Sequence, residues 1–561
     1  MRILLYLFRI SNETYCHMSL LSYVNLIANH CHLYYLVAQL LLSNTLPTKN
    51  NFHHIGSSTM KFLKLAACIT SASLLIACGG DNDSNNDTPA PAINVEKAQL
   101  VLNTNAEIAY ATYTDSVVTA KALKVALTAL KDDPTAETLA AAKKAWLISR
   151  EPYGQTEVYR FRNSPVDSLD VEGDLNAWPL GEALIDYVET NTTDFGDDQV
   201  GITGNDAGIN GGGAITAAQA QAAQANNIIG NVNVTIDENL LANTLSAEDE
   251  HDVITGYHAI EFLLWGQDLK APANQMVAAK QAIVAEPTPD PRTTDGSDRD
   301  EAINSGSTGG QRPLADFVST AAGDTAARRH AYLEVVVDKL IEDLEAVQAE
   351  WATGSDTNYR ATFTTIADAA DAKKKLTEIL TGMGTLSEGE LAGERMQIAF
   401  SSNSQEDEHS CFSDNTHRDI WLNAEGVSNS FTGTYTGYDH DLDPATADIV
   451  SPGLTAVDGY GIEDYLTEVG LSGIATTAAA ALATTEINYT AIDTSARTGG
   501  KPFDVLIMDA NKTDTNPVAK TIISLNAQAR AIQNAANQLG LGTVVDPKAS
   551  DCDTQDPTTE C

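Results

Sequence analysis

Residues 333–347, LEVVVDKLIEDLEAV, and residues 522–540, IISLNAQARAIQNAANQLG, decide the fold class of this 561-residue chain. In the first stretch the apolar residues recur every three or four positions: Leu333, Val336, Leu340, Leu344 and Val347. The second stretch repeats the spacing and ends at a glycine: Ile522, Leu525, Ala529, Ile532, Ala536, Leu539 and Gly540. This period is typical of amphipathic helices, and period-two alternation is scarce elsewhere in the chain. The sequence therefore predicts an all-α protein built of helical bundles.

Two more helices are predicted near residue 130. Leu123, Leu127 and Leu130 share one helical face, which is interrupted at Pro134. Thr135 then stands where an N-cap is expected, because its hydroxyl can accept a hydrogen bond from a free amide of the next first turn. We therefore expect a second helix to begin directly after it.

Three stretches have the composition of loops. Residues 191–235 are rich in Gly, Asn, Asp and Ala, and residues 286–312 are rich in Pro, Asp, Ser, Thr and Gly. We interpret both as long insertions in the first half of the protein. Residues 427–465 are also irregular and are expected to connect helices of the second half.

The chain is strongly acidic. It has 34 Lys and Arg against 76 Asp and Glu, which gives a formal net charge of −42. Such a surface repels phosphate backbones, so nucleic acid is excluded as a partner. Apolar residues make up 43% of the chain, enough for substantial hydrophobic cores.

Residues 61–78, KFLKLAACITSASLLIAC, carry a targeting pattern. Two lysines, an apolar stretch and small residues before a cysteine resemble a bacterial lipoprotein signal peptide. We predict a signal peptide over residues 60–77 and lipidation of Cys78; a buried core helix is the alternative. Residues 1–59 precede the natural start of such a signal and are interpreted as a mis-called leader, with a longer membrane-associated leader as the alternative.

The residues after Cys78 indicate where the protein is anchored. Residues 78–94 are polar and read as a flexible tether between a membrane anchor and a folded body. Gly79 follows the cysteine in place of Asp, which by resemblance to sorted lipoproteins favours the outer membrane. We therefore predict an exported, lipid-anchored protein that faces the periplasm or the cell surface.

Three further cysteines follow Cys78. Cys552 and Cys561 lie in a polar C-terminal tail, residues 546–561, and an exported compartment permits a disulfide between them; the sequence leaves that pairing open. Cys411 would then lie outside that disulfide. The chain has no CxxC, so cysteine zinc sites and c-type haem attachment are not expected.

A short repeated motif predicts an internal duplication. Residues 248–251 and residues 406–409 both read Glu-Asp-Glu-His, and another histidine follows each copy. We infer two related helical bundles, residues 95–385 and residues 386–545.

The first copy contains a candidate metal site. Glu248, His251, His258 and Glu261 fall on one broad face if residues 246–266 form a single helix. Imidazole and carboxylate three residues apart can reach one divalent metal, as in the cores of helical bundles. We take His258 and Glu261 as the metal ligands and Glu248 and His251 as pocket candidates. Histidines paired with carboxylates at a hydrated helix end are the alternative.

The second copy contains its own candidates. Glu406, Glu408, His409, Asp414, His417 and Asp419 lie within fourteen residues, and on a helix Glu406 and His409 repeat the spacing of three. We take Glu406, His409, Asp414 and His417 as the candidate ligands. We expect a second metal site that faces the first across the interface of the two bundles; a polar segment at a helix start is the alternative. The residues Ser-Asp-Asn at 413–415 predict a helix break or cap.

Several segments resemble the imelysin-like family, also called the iron-regulated protein A-like family. Residues 256–261, GYHAIE, match its GxHxxE signature. The other similar segments, in the family's order along the chain, are WLISREPYGQTE at 146–157, NAWP at 176–179, GERM at 393–396 and EDEHSCFSDNTHRDI at 406–420. Together they extend over most of residues 95–540.

The resemblance implies an all-helical exported protein with a site between two bundle subdomains. It implies His258 and Glu261 as metal ligands, and Arg150, Glu151 and Glu157 from the first matched segment as candidates for the rest of the pocket. Family members are associated with iron or haem acquisition, and some have been classed as metallopeptidases.

We therefore expect a lipoprotein that binds iron, haem or another divalent metal such as zinc, for iron acquisition together with iron-uptake proteins. A metal-dependent peptidase with the same residues is one alternative, although HExxH and GxSxG motifs are absent. An acidic structural lipoprotein with a degenerate site is another. The sequence does not decide whether the protein is an enzyme.

Overall fold

The computed structural model describes most of the chain beyond residue 89. The described residues are 90–178, 180–187, 227–242, 253–266, 310, 312–402, 407–498, 501–507, 513, 515–545, 552–559 and 561. The leader, the signal peptide, Cys78, most of both predicted insertions, Glu248, His251 and Glu406 lie outside them.

The described part of the chain is mostly helical, which confirms the predicted fold class. The helices of the first half are α1 Val95–Asp132, α2 Ala136–Gly154, α3 Pro165–Ser168, α4 Glu172–Leu175, α5 Glu182–Ile185, α6 Glu238–Ala242, α7 Gly256–Trp265, α8 Thr325–Trp351, α9 Tyr359–Phe363 and α10 Ala369–Thr385. Short 3₁₀ turns occupy Glu157–Tyr159 and Leu314–Phe317.

The second half follows without a break in the backbone. Its elements are a π-helix Leu386–Gln397, then α11 Ile398–Ser402, α12 Thr416–Thr432, β1 Thr434–Tyr435, β2 Val457–Asp458, α13 Ile462–Glu468, α14 Ser472–Arg497, α15 Phe503–Ile507 and α16 Pro517–Gln538. The two strands pair antiparallel. The boundary predicted between residues 385 and 386 falls where α10 continues into the π-helix, and the division into two domains stays a prediction.

The long helices pack in two groups. Helices α1, α2 and α8 pack together, as do α14, α16, α12 and the π-helix, while α12 also contacts α2. One hydrophobic cluster includes the stripe of α8, and a smaller cluster joins the π-helix to α16. The site described below lies where α2 and α7 meet the segment that leads into α12.

The predicted stripes and caps are confirmed. Every residue of the 333–347 stripe is buried in α8, and every residue of the 522–539 stripe is buried along α16 or just beyond its end. The Thr135 hydroxyl accepts a hydrogen bond from the amide of Thr138 at the start of α2. Gly540 has the positive φ that favours glycine after a helix.

Two expectations about the second half need correction or addition. The irregular region does not begin at residue 427, because α12 continues to Thr432 before Gly433 ends it with a left-handed backbone. The C-terminal tail is not a free polar extension where it is described: Cys552 and Cys561 form a disulfide, and Asn526 of α16 donates a hydrogen bond to the buried Thr554. None of the described helices is long and apolar enough to cross a membrane.

Candidate functional site between the two halves

The site begins at the first residue of α7. Gly256 has a φ of +79°, and a Cβ there would lie 2.5 Å from the carbonyl oxygen of Leu175 at the end of α4. Only glycine fits such a backbone at such a close approach. Trp146 of α2 donates from Nε1 to the carbonyl of Tyr257 at 2.9 Å. The start of α7 is therefore held between α2 and α4.

The position of this start corrects one prediction. Residues 253–255 are extended, with Val253 bridged to Leu180, so α7 begins at Gly256. A single helix over residues 246–266 is therefore wrong. The backbone of Val253 bonds to the Leu180 segment and does not continue a helix into α7, while Glu248 and His251 lie outside the described residues.

His258 and Glu261 lie together as their spacing predicted. His258 Nδ1 is 2.9 Å from Glu261 Oε2, and both side chains are buried. The other carboxyl oxygen, Oε1, accepts hydrogen bonds from the amide and the hydroxyl of Ser413 at 2.9 and 2.6 Å. His258 Nε2 has no hydrogen-bond partner. A buried imidazole thus keeps one ring nitrogen available.

His409 belongs to the same site. Its ring packs edge-to-face on His258, with centroids 4.7 Å apart, and its Nδ1 is 2.8 Å from Asp419 Oδ2. The prediction of a separate site is therefore wrong for His409. Its placement on a helix with Glu406 is also wrong, because residues 407–414 form turns before α12 begins at Thr416.

Burial keeps both imidazoles neutral. Desolvation, with the nearby positive charge of Arg150, lowers the pKa of His258 to about 3. Burial and Arg395 lower the pKa of His409 well below its usual value. Burial also raises the pKa of Glu261 to about 8. Neutral imidazole is the form that binds metal ions.

Arg150, which the sequence predicted as a pocket residue, links the site to the second half. Its Nη2 lies 3.0 Å from Asp419 Oδ1, and its Nη1 donates to Asn176 Oδ1. Burial alone would raise the pKa of Asp419, but Arg150 and His409 hold it well below its usual range. Asp419 therefore stays ionised and accepts from both Arg150 and the ring of His409.

Glu157 lies in a second cluster of five charges, in which Glu157 and Arg395 are buried and the other three are half-buried. Arg395 Nη2 is 2.8 Å from both Glu157 Oε2 and Glu390 Oε1. Arg160 Nη1 contacts the same two carboxylates at 3.1 and 3.0 Å, and Glu172 at 3.3 Å. Burial raises the pKa of Glu172 to about 7, whereas the two arginines outweigh the effect of burial on Glu390 and lower its pKa to about 2.

The raised pKa of Glu172 predicts a pH-dependent stability. Between the ordinary glutamate pKa and pH 7, the unfolded chain has lost this proton while the native state retains it, so the free energy of unfolding falls as pH rises. We expect Glu172→Gln to remove about 1 to 3 kcal/mol of that fall. Urea denaturation from pH 4.5 to 8 measures it, with the exposed Glu137→Gln as the control for loss of one charge. Equal pH slopes for both variants would contradict the prediction.

Three other predicted residues form a neighbouring network. Glu151 pairs through both oxygens with Arg418, at 2.7 and 2.9 Å. His417 Nδ1 lies 3.0 Å from the carbonyl oxygen of Asp414, and its Nε2 lies 3.7 Å from Asp493. Arg418 also lies 3.4 Å from Asp493, so Glu151 and His417 are linked through Arg418 and Asp493.

Four side chains of the site were not among the predicted candidates. They are Asn176, Trp178, Arg395 and Ser413, whereas Asp419 was among the second-half candidates. Trp178 packs edge-to-face on His409 at 4.4 Å between centroids, and Arg395 lies over its ring at 5.0 Å. All four stand inside the segments that carried the family resemblance, and that membership was the signal that could have identified them.

The described residues contain no group of three or more His, Cys, Asp or Glu side chains arranged to hold a metal ion. The arrangement supplies two neutral imidazoles, each with its Nδ1 next to a carboxylate. Chemically it can offer two nitrogen ligands to a metal whose remaining positions are taken by other donors.

The chain is similar to proteins of known sequence and structure. A family model described as Imelysin matches residues 109–539. Iron-regulated protein A of Synechococcus elongatus is 30% identical over 113 residues, which are 20% of this chain and 28% of that relative, so the match spans under a third of the relative's length.

Two solved structures are also similar. A Parabacteroides distasonis protein described as an iron-regulated protein A precursor has a TM-score of 0.48 at 15% identity, covering 81% of this chain and 97% of its own. An imelysin-like protein of Psychrobacter arcticum has a TM-score of 0.45 at 13% identity, covering 81% of this chain and 99% of its own.

Proposed function

Because the chain belongs to the imelysin family, we propose that it is an exported lipoprotein of iron acquisition that binds iron or another divalent metal at His258 and His409. The name of the Synechococcus relative supports a connection with iron. The observation that carries the proposal is the free Nε2 of His258, a fully buried nitrogen without a hydrogen-bond partner. Buried polar atoms without partners are uncommon and call for an explanation, and a bound cation supplies one.

The hydrogen bonds of Glu261 give it a different role from the direct ligand expected from the sequence. Both of its oxygens are engaged, one by Ser413 and the other by His258. Metal-binding histidines usually direct their second ring nitrogen at a carboxylate, which sets the tautomer and the ring orientation. We propose that Glu261 orients His258 in this way. A cation at Nε2 favours the ionised carboxylate, which then accepts the Nδ1 proton and leaves the Nε2 lone pair for the metal.

His409 is proposed as the second ligand for the same reason. Its Nδ1 faces Asp419 at 2.8 Å, and its Nε2 has only a long contact of 3.4 Å with the Asn176 amide. The two imidazoles come from the two halves of the chain. A metal held by both would therefore also join the halves.

The donor set fits iron or another metal that accepts imidazole nitrogen. Such a metal would hold the two rings and keep positions open for donors brought by its own chelating ligand. Haem fits less well, because two rings in edge-to-face contact at 4.7 Å leave no room for a porphyrin between them. The peptidase alternative lacks support, because Glu261 is already bonded to His258 and Ser413 and is not free to act as base toward a metal-bound water.

Export and anchoring are part of the proposal and rest on the sequence. Lipid on Cys78 would hold the folded part near a membrane, where a metal could be passed to iron-uptake proteins. The acidic surface suits this place, because it attracts cations. Mass spectrometry of the protein extracted from its membrane would reveal acyl chains on Cys78 and the loss of residues 1–77.

Metal titration of the mature protein tests the site. We expect about one Fe²⁺ or Co²⁺ per chain, and a loss of affinity of tenfold or more in His258→Ala and in His409→Ala. We expect Glu261→Gln to weaken binding by about 10 to 100-fold, because the ring of His258 would lose its orienting carboxylate. Cobalt absorption bands provide a second readout, since they change when imidazole enters the coordination shell.

The matched control is His330→Asn. His330 is also buried, but it lies in α8 and its Nε2 is 2.9 Å from the carbonyl oxygen of Phe317. We expect this variant to bind metal as the wild type does. Absence of stoichiometric metal in the wild type, or equal loss in the control, would overturn the proposed site.

A further inference from the structure

The two imidazoles are enclosed almost completely by buried side chains. Asn176, Ser413, Asp419 and Arg395, which surround the His258–His409 pair, are each no more than 1% exposed. Trp178 differs from them, because it is half-buried and reaches the surface while its ring edge contacts His409. Among the described residues that contact His258 or His409, Trp178 is the one through which a solute could enter.

We propose that Trp178 controls access to the site by swinging away from His409. The biological meaning of this motion rests on the proposed metal binding, but the motion itself does not. The proposal assigns to Trp178 a positioning role that regulates entry and exit of the ligand without donating to it.

The contacts on each side of Trp178 explain why this residue moves and its neighbours do not. Its ring is held by an edge contact to His409 and by the guanidinium of Arg395, and both interactions are weak. Arg395 itself is fixed by Glu157 and Glu390 at 2.8 Å. Displacing Arg395 would leave buried charges without partners, whereas displacing Trp178 exposes no charge.

The local backbone agrees with a movable side chain. Trp178 follows the one-turn helix α4, and Asn176 ends that helix with its amide bonded to the carbonyl of Glu172. The side chain therefore stands on a short connecting segment and is not clamped within a long helix.

Trp421 of α12 offers a matched control. It is also half-buried, lies under the guanidinium of Arg418 at 5.0 Å and packs edge-to-face on Tyr489 at 5.0 Å. Its aromatic and cationic surroundings therefore copy those of Trp178, yet it contacts neither His258 nor His409. A general loosening of the fold would affect both variants, whereas an access role affects only Trp178.

The test measures labelling of single histidines by diethyl pyrocarbonate, which acylates neutral imidazole nitrogens, in the metal-free full mature chain. Because the labelling rate follows the population of open states, we expect His258 to react about tenfold faster or more in Trp178→Ala than in wild type. Trp178→Phe should stay near the wild-type rate, and Trp421→Ala should not change it. Peptide mass spectrometry assigns each label, and circular dichroism confirms folding.

Two results would overturn the proposal. One is an unchanged rate for His258 in a folded Trp178→Ala protein, and the other is an equal increase in Trp421→Ala. If Trp178→Ala fails to fold, Trp178→Leu serves under the same criteria.

Binding kinetics with Co²⁺ separate this proposal from the proposed function. An access role predicts that the association and dissociation rates of Co²⁺ rise together in Trp178→Ala, while the equilibrium affinity changes little. A rise in the dissociation rate alone would make Trp178 part of the binding surface and would refute the access role. If Co²⁺ does not bind at all, the proposed function fails, and the labelling result still decides whether Trp178 covers the histidines.

Discussion

Replacing Arg150 by methionine is expected to lower the free energy of unfolding by about 3 to 5 kcal/mol, the usual cost of removing one partner of a buried ion pair. Arg150 and Asp419 are each 1% exposed and are joined at 3.0 Å. Without the guanidinium, the Asp419 carboxylate would be left buried with only His409 and Ser410 as partners. Methionine fills much of the same volume, so the loss reports charge and hydrogen bonding more than packing.

Chemical denaturation measures this loss, and an exposed ion pair provides the control. Lys131 and Glu334 are 2.6 Å apart with side chains about half exposed, at 46% and 51%. We expect Lys131→Met to cost less than about 1 kcal/mol, since exposed pairs are screened by water. A double variant, Arg150→Met with Asp419→Asn, should recover part of the loss because the orphaned charge is removed. A change below about 1 kcal/mol for Arg150→Met would contradict the expectation.

Replacing Gly256 by alanine is expected to cost on the order of 3 kcal/mol, because two penalties add at this position. The φ of +79° is strained for any residue with a Cβ, and that Cβ would lie 2.5 Å from the Leu175 carbonyl. The overlap is with backbone, so it can be relieved only by a shift of α7 or α4. Since α7 carries His258, metal binding should weaken together with stability.

Gly173 is the control for this substitution. It lies in α4, two residues before Leu175, and a Cβ there would meet nothing within 4 Å. Gly173→Ala should be neutral or should stabilise by up to about 1 kcal/mol, since alanine is the better helix former. Thermal unfolding of both variants would show the contrast. Equal effects would mean that the Gly256 conformation is not required.

The elements predicted from the sequence correctly were those whose cause is local. The stripes of α8 and α16 follow from apolar residues three and four apart, and the cap at Thr135 follows from one hydroxyl beside a free amide. The helix predicted over residues 246–266 failed for the opposite reason. Its first part was drawn from polar residues without an apolar stripe, and the bridge between Val253 and Leu180 decided its path.

The residues of the candidate site show the same contrast between local causes and tertiary packing. His258 and Glu261 were predicted together because a spacing of three residues on one helix places both side chains on the same face. His409 and Asp414 came from one predicted second site, yet only His409 reaches His258. Spacing along the chain could not separate the two, because residues 407–414 form turns whose direction depends on what they pack against.

The sequence by itself determined the helical class, the break between α1 and α2, the end of α16 and one histidine–carboxylate pair, since each depends on residues within a turn or two of one another. The tertiary structure alone decided that Ser413 engages Glu261, that Asp419 joins Arg150 to His409, and that Trp178 packs on the ring of His409. Those contacts link residues up to 269 positions apart. Their geometry is set by how whole helices pack, which no local pattern of residues encodes.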